Sequence, residues 1–292
     1  MSFRESWLDA VKDKNSVLCA GLDPAVSEMD RGENGLPEDI HIVDWALDYV
    51  EAIAPYCAAL KPNTQYWKWD YGELEEIVEI AQNEGLVVIE DAKYADIGST
   101  NDAGLFYSES LNIDAVTYSP FAGNMKEAAD QAHKRGLGLI SMCLMSNPEY
   151  ENEKNKLVVL TEEEAETDYA VKHLLPVGDR FYTRQFIKLA YDAKMYCVDG
   201  LVIGAPSPKN HLTDEEISLA RRYAGENMLV LMPGVGAQGG EAEKIWKYFA
   251  PENVIVNVGR GLMFPNGSNT TPEQHAATAK QYQEMLNKLR GK

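Results

Sequence analysis

Short apolar runs recur along the whole chain, at 17–22, 57–60, 86–88, 115–117, 138–143, 201–203, 229–232 and 254–256. Each is rich in Val, Ile, Leu and Ala, and each closes on a polar, Gly or Pro residue. Continuous apolar runs of this length are what strands buried on both faces require, because neither face meets water. Between them lie segments with helical spacing, at about 38–54, 74–83, 100–111, 125–134, 182–195, 215–223, 242–249 and 272–289. Eight strands alternating with helices predict a (β/α)8 barrel, the TIM-barrel arrangement. A doubly wound open sheet is the second choice, and no Gly-rich dinucleotide loop follows the first strand to favour it. No linker divides the chain, so a single barrel domain is expected over 1–292. The one break in the rhythm is an insertion after strand five, at about 149–179, with an acidic run at Glu162, Glu163 and Glu164.

Composition narrows the partners. The chain has 292 residues, 45% of them hydrophobic, and a formal net charge of -19. Such a charge repels nucleic-acid phosphates and anionic membranes, so neither is expected as a partner. No apolar run is long enough to span a bilayer. The N-terminal residues read as a short amphipathic helix without the apolar core of a signal peptide. The four cysteines, Cys19, Cys57, Cys143 and Cys197, form no CxxC pair. Free thiols in a reducing cytoplasm are the expectation. The five histidines are scattered and share no metal-ligand spacing, so no metal site is predicted.

The chemistry concentrates where the third strand ends, in IEDAKYADIGST, residues 89–100. In an extended segment Asp91 and Lys93 face the same way. A structural ion pair needs one acid per lysine, yet Asp96 supplies a second. One reading is an ion-pair cluster capping a helix that starts near Ser99 or Thr100, with Asp102 in its first turn. The other is a catalytic charge cluster. Further polar residues fall at other strand ends: Asp23, Lys61, Ser146, Gln238 and Arg260. In a barrel these ends share one mouth, the place where such folds carry their sites. The loop PGVGAQGG, from Pro233 to Gly240, and the Gly259-Arg260-Gly261 turn then form a phosphate site. Gly-rich backbone and a helix N-terminus favour an anion, and arginine grips phosphate with two parallel hydrogen bonds.

These motifs together resemble orotidine 5'-phosphate decarboxylases, in the longer bacterial subgroup whose string runs DAK-x-x-DIGST. The resemblance spans residues 17–263 and includes ALKPN, EDAKYADIGST, MSNPE, PGVGAQGG and VGRG. The subgroup usually has Arg-Gly where Tyr94 and Ala95 stand here. The resemblance implies that Lys93 donates the proton to the pyrimidine carbon that loses carbon dioxide. Asp91 and Asp96 frame it, and Lys61 completes an alternating charge network. Asp23, Lys61 and Thr100 would hold ribose hydroxyls, and Ser146 would meet the pyrimidine edge. Pro233, Gln238, Gly259 and Arg260 would line the phosphate. The resemblance further implies a homodimer whose sites borrow Asp96 and Thr100 from the neighbour, and a reaction without metal or cofactor.

Three rivals follow from the same residues. A sister barrel acting on sugar phosphates shares the Asp-x-Lys-x-x-Asp string but uses magnesium, with a glutamate where Lys61 stands here. Lysine removes an oxygen ligand from a hard cation. A Schiff-base aldolase would want Lys93 or Lys61 with a lowered pKa, and flanking acids do the opposite. A non-enzymatic binding barrel has no use for Lys61, Asp91, Lys93 and Asp96 together.

Overall fold

The computed structural model describes residues 1–69, 71–165, 175–177, 180–235 and 242–291. Eight parallel strands close into a barrel: β1 (Leu18–Leu22), β2 (Ala59–Pro62), β3 (Val87–Tyr94), β4 (Ala115–Tyr118), β5 (Gly138–Leu144), β9 (Gly200–Ile203), β10 (Leu229–Met232) and β11 (Val254–Val258). Around the barrel they follow the order β1-β11-β10-β9-β5-β4-β3-β2, which is chain order with the ring joined between first and last. The predicted (β/α)8 class is the observed one. Nearly every residue of these strands is buried, apart from the end of β3. The inward faces fill the barrel and the outward faces meet the helices, which is why the runs lack polar alternation.

Helix α1 (Phe3–Lys14) starts with a capping box in which Ser2 and Glu5 exchange hydrogen bonds. It closes the lower end of the barrel. Trp7 is fully buried and its indole N–H donates to the Glu252 carbonyl at 2.8 Å. Phe3 lies against Gly138, the first residue of β5, where a Cβ would collide with its side chain. Helices α2 (Ile42–Ile53), α3 (Leu74–Asn83), α4 (Gly98–Ser110) and α5 (Met125–Lys134) wrap the first half. The second half is wrapped from α8 (Gln185–Met195) and α9 (Asp214–Ala224) to the last helix, Pro272–Leu289.

Several predicted boundaries shift. Helix α2 begins at Ile42, so 38–41 are not helical. Helix α4 begins at Gly98 with Ile97 as N-cap, so neither Ser99 nor Thr100 caps it. Asp102 pairs with Arg135 at 2.9 Å rather than standing alone in the first turn. The insertion also differs from its prediction. Short helices α6 (Tyr150–Lys154) and α7 (Glu162–Ala165) accompany three short strands, β6 (Leu157–Val159), β7 (Leu175–Val177) and β8 (Arg180–Arg184). The strands form an antiparallel sheet in the order β6-β8-β7. Tyr182, expected in a helix, lies in β8 and pairs with Val159. The insert therefore runs to Arg184. Two ion-pair anchors, one buried and one half-buried, hold it to the barrel. Lys154 pairs with Glu216 at 2.7 Å and donates to the His211 carbonyl at 2.7 Å. Lys188 bridges Glu164 and Asp192 at 2.9 and 2.6 Å.

Candidate active site

The site assembles where β2 and β3 end. Lys61, on β2, donates to Asp91 Oδ2 at 2.6 Å, and Lys93 donates to Asp91 Oδ1 at 2.5 Å. One carboxylate thus holds two ammonium groups. Thr117, on β4, donates its hydroxyl to the same Oδ1 at 2.9 Å. Burial pushes the Asp91 carboxyl up, but Lys61 and Lys93 outweigh it and hold it well below the usual carboxylate range. Burial likewise disfavours the charge on Lys61, while Asp91 and Asp23 outweigh it and raise its pKa. Both groups are charged at neutral pH. The arrangement is a fixed triad of alternating charge.

Simple strand alternation does not place Lys93. Its φ is +52°, in the left-handed region that a side chain rarely adopts, and the pairing of β3 with β4 shifts register between Glu90 and Tyr94. The Lys93 N–H donates to the Thr117 hydroxyl at 3.0 Å, which stabilises the turned backbone. Such strain is held only where the surroundings fix it, and it is common at functional sites. The result is a lysine half out in the mouth: its side chain is 49% exposed against 6% for Lys61. Thr117 was missed from the sequence. Its signal was a polar β-branched residue inside an otherwise apolar strand.

Asp23 follows β1 and is partly buried. Its Oδ1 is buried without a hydrogen-bond partner among the described residues. Burial raises its pKa and the nearby Lys61 opposes the rise. Ser146 lies just past β5, against Gly204, where a Cβ on the glycine would sit 2.7 Å from the serine Cβ. Pro233 follows β10, and its carbonyl accepts from the Ala205 N–H at 3.0 Å, tying two mouth loops together. Gly259 ends β11 and packs against Gly21 of β1. A Cβ on Gly21 would meet the Gly259 Cα at 2.9 Å, so this close approach of first and last strands needs glycine. Arg260 is exposed, and its side chain makes no hydrogen bond or ion pair with described residues. It lines a cavity of about 780 Å³ together with Asn266, Gln274 and Tyr282. None of the lysine–aspartate residues lines that cavity. Gln238 and most of the PGVGAQGG loop lie outside the described residues.

Asp96 and Thr100 do not join the cluster within one chain. Both are exposed, and Asp96 Oδ1 accepts from the Ile97 N–H at 2.7 Å. The expected framing of Lys93 by two acids is therefore met by Asp91 alone in a single chain. The helix-capping reading of the string is not observed, since Asp91 pairs with both Lys93 and Lys61 rather than with the start of the helix. Among the described residues no group of three His, Cys, Asp or Glu side chains could hold a metal ion. No described helix is long and apolar enough to cross a membrane. Cys19, Cys57 and Cys143 are buried and free, and Cys197 is free but exposed.

Residues 16–269 match the model of the "Orotidine 5'-phosphate decarboxylase / HUMPS family". Among curated relatives, an orotidine 5'-phosphate decarboxylase of Streptomyces coelicolor is 32% identical, covering 91% of each chain. One from Natronomonas pharaonis is 29% identical over 99% of this chain and 100% of its own. Among solved structures, a putative orotidine 5'-phosphate decarboxylase of Streptomyces avermitilis superposes with a TM-score of 0.72 at 25% identity, covering 100% of this chain and 96% of that one. Leishmania donovani OMP decarboxylase gives 0.72 at 23% identity, with 100% of both chains covered, a likeness of fold. With eight barrel strands, the charge triad and a family match across most of its length, the chain belongs to the orotidine 5'-phosphate decarboxylase / HUMPS family.

Proposed function

We propose that the protein decarboxylates orotidine 5'-phosphate to uridine 5'-phosphate, a step of pyrimidine biosynthesis, with Lys93 as proton donor and without metal or cofactor. The observation that carries this reading is the Lys61–Asp91–Lys93 triad at the barrel mouth. The family description carries two names, so membership alone does not choose between the decarboxylase and a sugar-phosphate barrel. Lys61 favours the decarboxylase. An ammonium buried against Asp91 occupies the place where a magnesium ligand would be needed. The curated relatives carry the decarboxylase name.

Loss of carbon dioxide leaves an electron pair on the pyrimidine carbon, and no electron sink is at hand. A fixed ammonium stabilises that developing charge without reorganising, most strongly once bound substrate has displaced water from the mouth. Asp91 keeps Lys93 oriented by a direct hydrogen bond, and Lys61 holds Asp91 from the other side. The bond from carbon to carboxylate breaks, its electron pair stays on carbon, and the Lys93 proton moves to that carbon. Asp91 repels the departing carboxylate, a repulsion relieved as the charge leaves.

The remaining roles are part of the same proposal. Asp23, whose buried Oδ1 has no partner among the described residues, and Lys61 bind ribose hydroxyls. Ser146 meets the pyrimidine edge. Pro233, Gln238, Gly259 and Arg260 hold the phosphate, which supplies binding energy remote from the reacting carbon. Two copies form a homodimer in which Asp96 and Thr100 complete the partner's site. This is supported by the exposed Asp96 and Thr100 and by exposed apolar side chains beside them, with Ile97 63%, Phe106 51%, Tyr107 59% and Phe121 91% accessible. Single apolar residues on a surface are ordinary, but a cluster marks a contact face. The expected location is the cytoplasm.

Ultraviolet absorbance of orotidine 5'-phosphate, followed with and without EDTA, tests the reading. Turnover at the same rate in both is expected. Activity lost on chelation and restored by magnesium would instead support the sugar-phosphate mechanism.

A further inference from the structure

Directly behind Asp91 stands a second carboxylate that the proposed chemistry does not use. Glu90 is 1% exposed, and among the described residues no lysine, arginine or histidine pairs with it. Being adjacent in the strand, it points away from the mouth, into the layer between barrel and helices. A carboxylate in that layer is costly unless hydrogen bonds satisfy it. Three hydroxyls do so, each from a different element. Thr64, in the turn after β2, donates to Oε1 at 3.3 Å. Tyr71, farther along the same connection, donates to Oε1 at 3.0 Å. Ser108, on α4, donates to Oε2 at 2.5 Å and lies 3.0 Å from the Tyr94 hydroxyl. Gly104 of α4 leaves room for the Tyr94 ring, where any Cβ would collide with it.

The positions of these elements matter more than their number. Thr64 follows Lys61, Pro62 and Asn63, and its hydroxyl also lies 3.4 Å from the Asp91 carbonyl. The Tyr94–Ser108 contact braces the turned backbone just after Lys93. Helix α4 begins two residues after Asp96 and contains Thr100. Glu90, in the strand that carries Asp91 and Lys93, is thus bonded at once to the connection that follows Lys61 and to the helix that carries Thr100. A purely structural acid in this layer would need no such spread, and an apolar residue would fill the space at lower cost.

We infer that Glu90 is a positioning residue: through Thr64, Tyr71 and Ser108 it sets the geometry of the Lys61–Asp91–Lys93 triad and of the segment from Asp96 to Thr100. It touches no substrate. This inference deepens the proposed function and rests on it for its kinetic arm. Its structural arm stands apart.

The test compares Glu90→Gln with Asp114→Asn in the full chain. Asp114 is a half-buried acid at the opposite end of the barrel, where it accepts from the Val88 N–H at 2.8 Å and from Gln82. Both variants should melt at lower temperature. Only Glu90→Gln should lower kcat, by about tenfold with a smaller change in KM, because misplaced reacting groups cost rate before binding. Hydrogen–deuterium exchange without substrate should rise at residues 61–66 and 96–101 in Glu90→Gln and not in Asp114→Asn. If Glu90→Gln does not fold, Ser108→Ala and Tyr71→Phe each remove one bond and should each lower kcat by about threefold. Unchanged kcat together with unchanged exchange in those segments would overturn the role, for Glu90→Gln or for the pair that replaces it. An inactive wild-type chain would sink the decarboxylase reading instead, and the exchange comparison alone would then decide the positioning role.

Discussion

Asp91 accepts hydrogen bonds from two ammonium groups, and the two lysines divide different work. Lys61 is buried and fixes the carboxylate. Lys93 is half exposed and free to approach a ligand. The difference predicts different kinetics. In the proposed mechanism Lys93 acts chiefly in the transition state, so Lys93→Ala should lower kcat by at least about 100- to 1,000-fold. Binding of uridine 5'-phosphate, measured by calorimetry, should change far less. In the proposed function Arg260 grips a part of the substrate that does not react, and Arg260→Ala tests that role. KM should rise about 10- to 100-fold while kcat changes little, since a charge-assisted hydrogen bond contributes about 1.5–3 kcal/mol. Steady-state kinetics separate the two. A Lys93→Ala enzyme with near-normal kcat would end the proton-donor assignment.

At the scale of elements, polar ties at both ends hold helices to strands. At the lower end, His133 of α5 sits 2.9 Å from Asp199, which stands just before β9 and also accepts from the Leu139 N–H. The hydrogen bond to Asp199 raises the His133 pKa, against the opposing effect of partial burial. A group with a raised folded-state pKa stabilises fully below its unfolded value, about 6.5 for histidine, and loses that contribution as pH rises through the folded value. The stability advantage of the wild type over His133→Gln should therefore be largest at about pH 6 and shrink toward pH 8.5. Thermal melts across that range check it. An advantage that grows with pH would mean that His133 is neutral in the fold. On the outer face of β1, Trp45, Tyr49, Phe264 and His275 stack together, and Tyr49 donates to the Gly21 carbonyl at 3.2 Å. This packing backs the Gly21–Gly259 approach from which Arg260 departs.

At the scale of the molecule, each chain carries a complete charge triad but keeps Asp96 and Thr100 on its surface. If two-fold symmetry completes the sites, mixing two dead variants should restore activity. A dimer of one Lys93→Ala chain and one Asp96→Asn chain has one site lacking both groups and one site with both intact. Each mixed dimer should then reach about half the native activity, and random exchange of equal amounts about a quarter. The variants are unfolded and refolded together, mixed dimers are isolated by differently tagged chains, and turnover is assayed. Mixed dimers that form but stay inactive would return Asp96 to its own subunit.

Local patterns were enough for much of this. Continuous apolar runs mark strands buried on both faces, so the eight-strand barrel was legible, and with it the mouth where Asp23, Lys61, Asp91 and Arg260 stand at strand ends. The Asp-x-Lys-x-x-Asp string marked the charge cluster because a surplus acid has no structural need. The insert was not legible as a sheet, because its strands are three to five residues long and pair with one another rather than with the barrel core. Three decisions belonged to the tertiary structure. Lys93 reaches Asp91 through a left-handed backbone turn braced by Thr117, which no alternation rule contains. Nothing in the string sets Glu90 apart, and only the packed layer brings Thr64, Tyr71 and Ser108 onto it from distant positions. Asp96 and Asp91 are five residues apart, yet one is drawn into the triad and the other left at the surface. Sequence spacing fixes which residues are near one another along the chain, whereas the direction of each side chain depends on backbone torsion and on partners that only folding brings within reach.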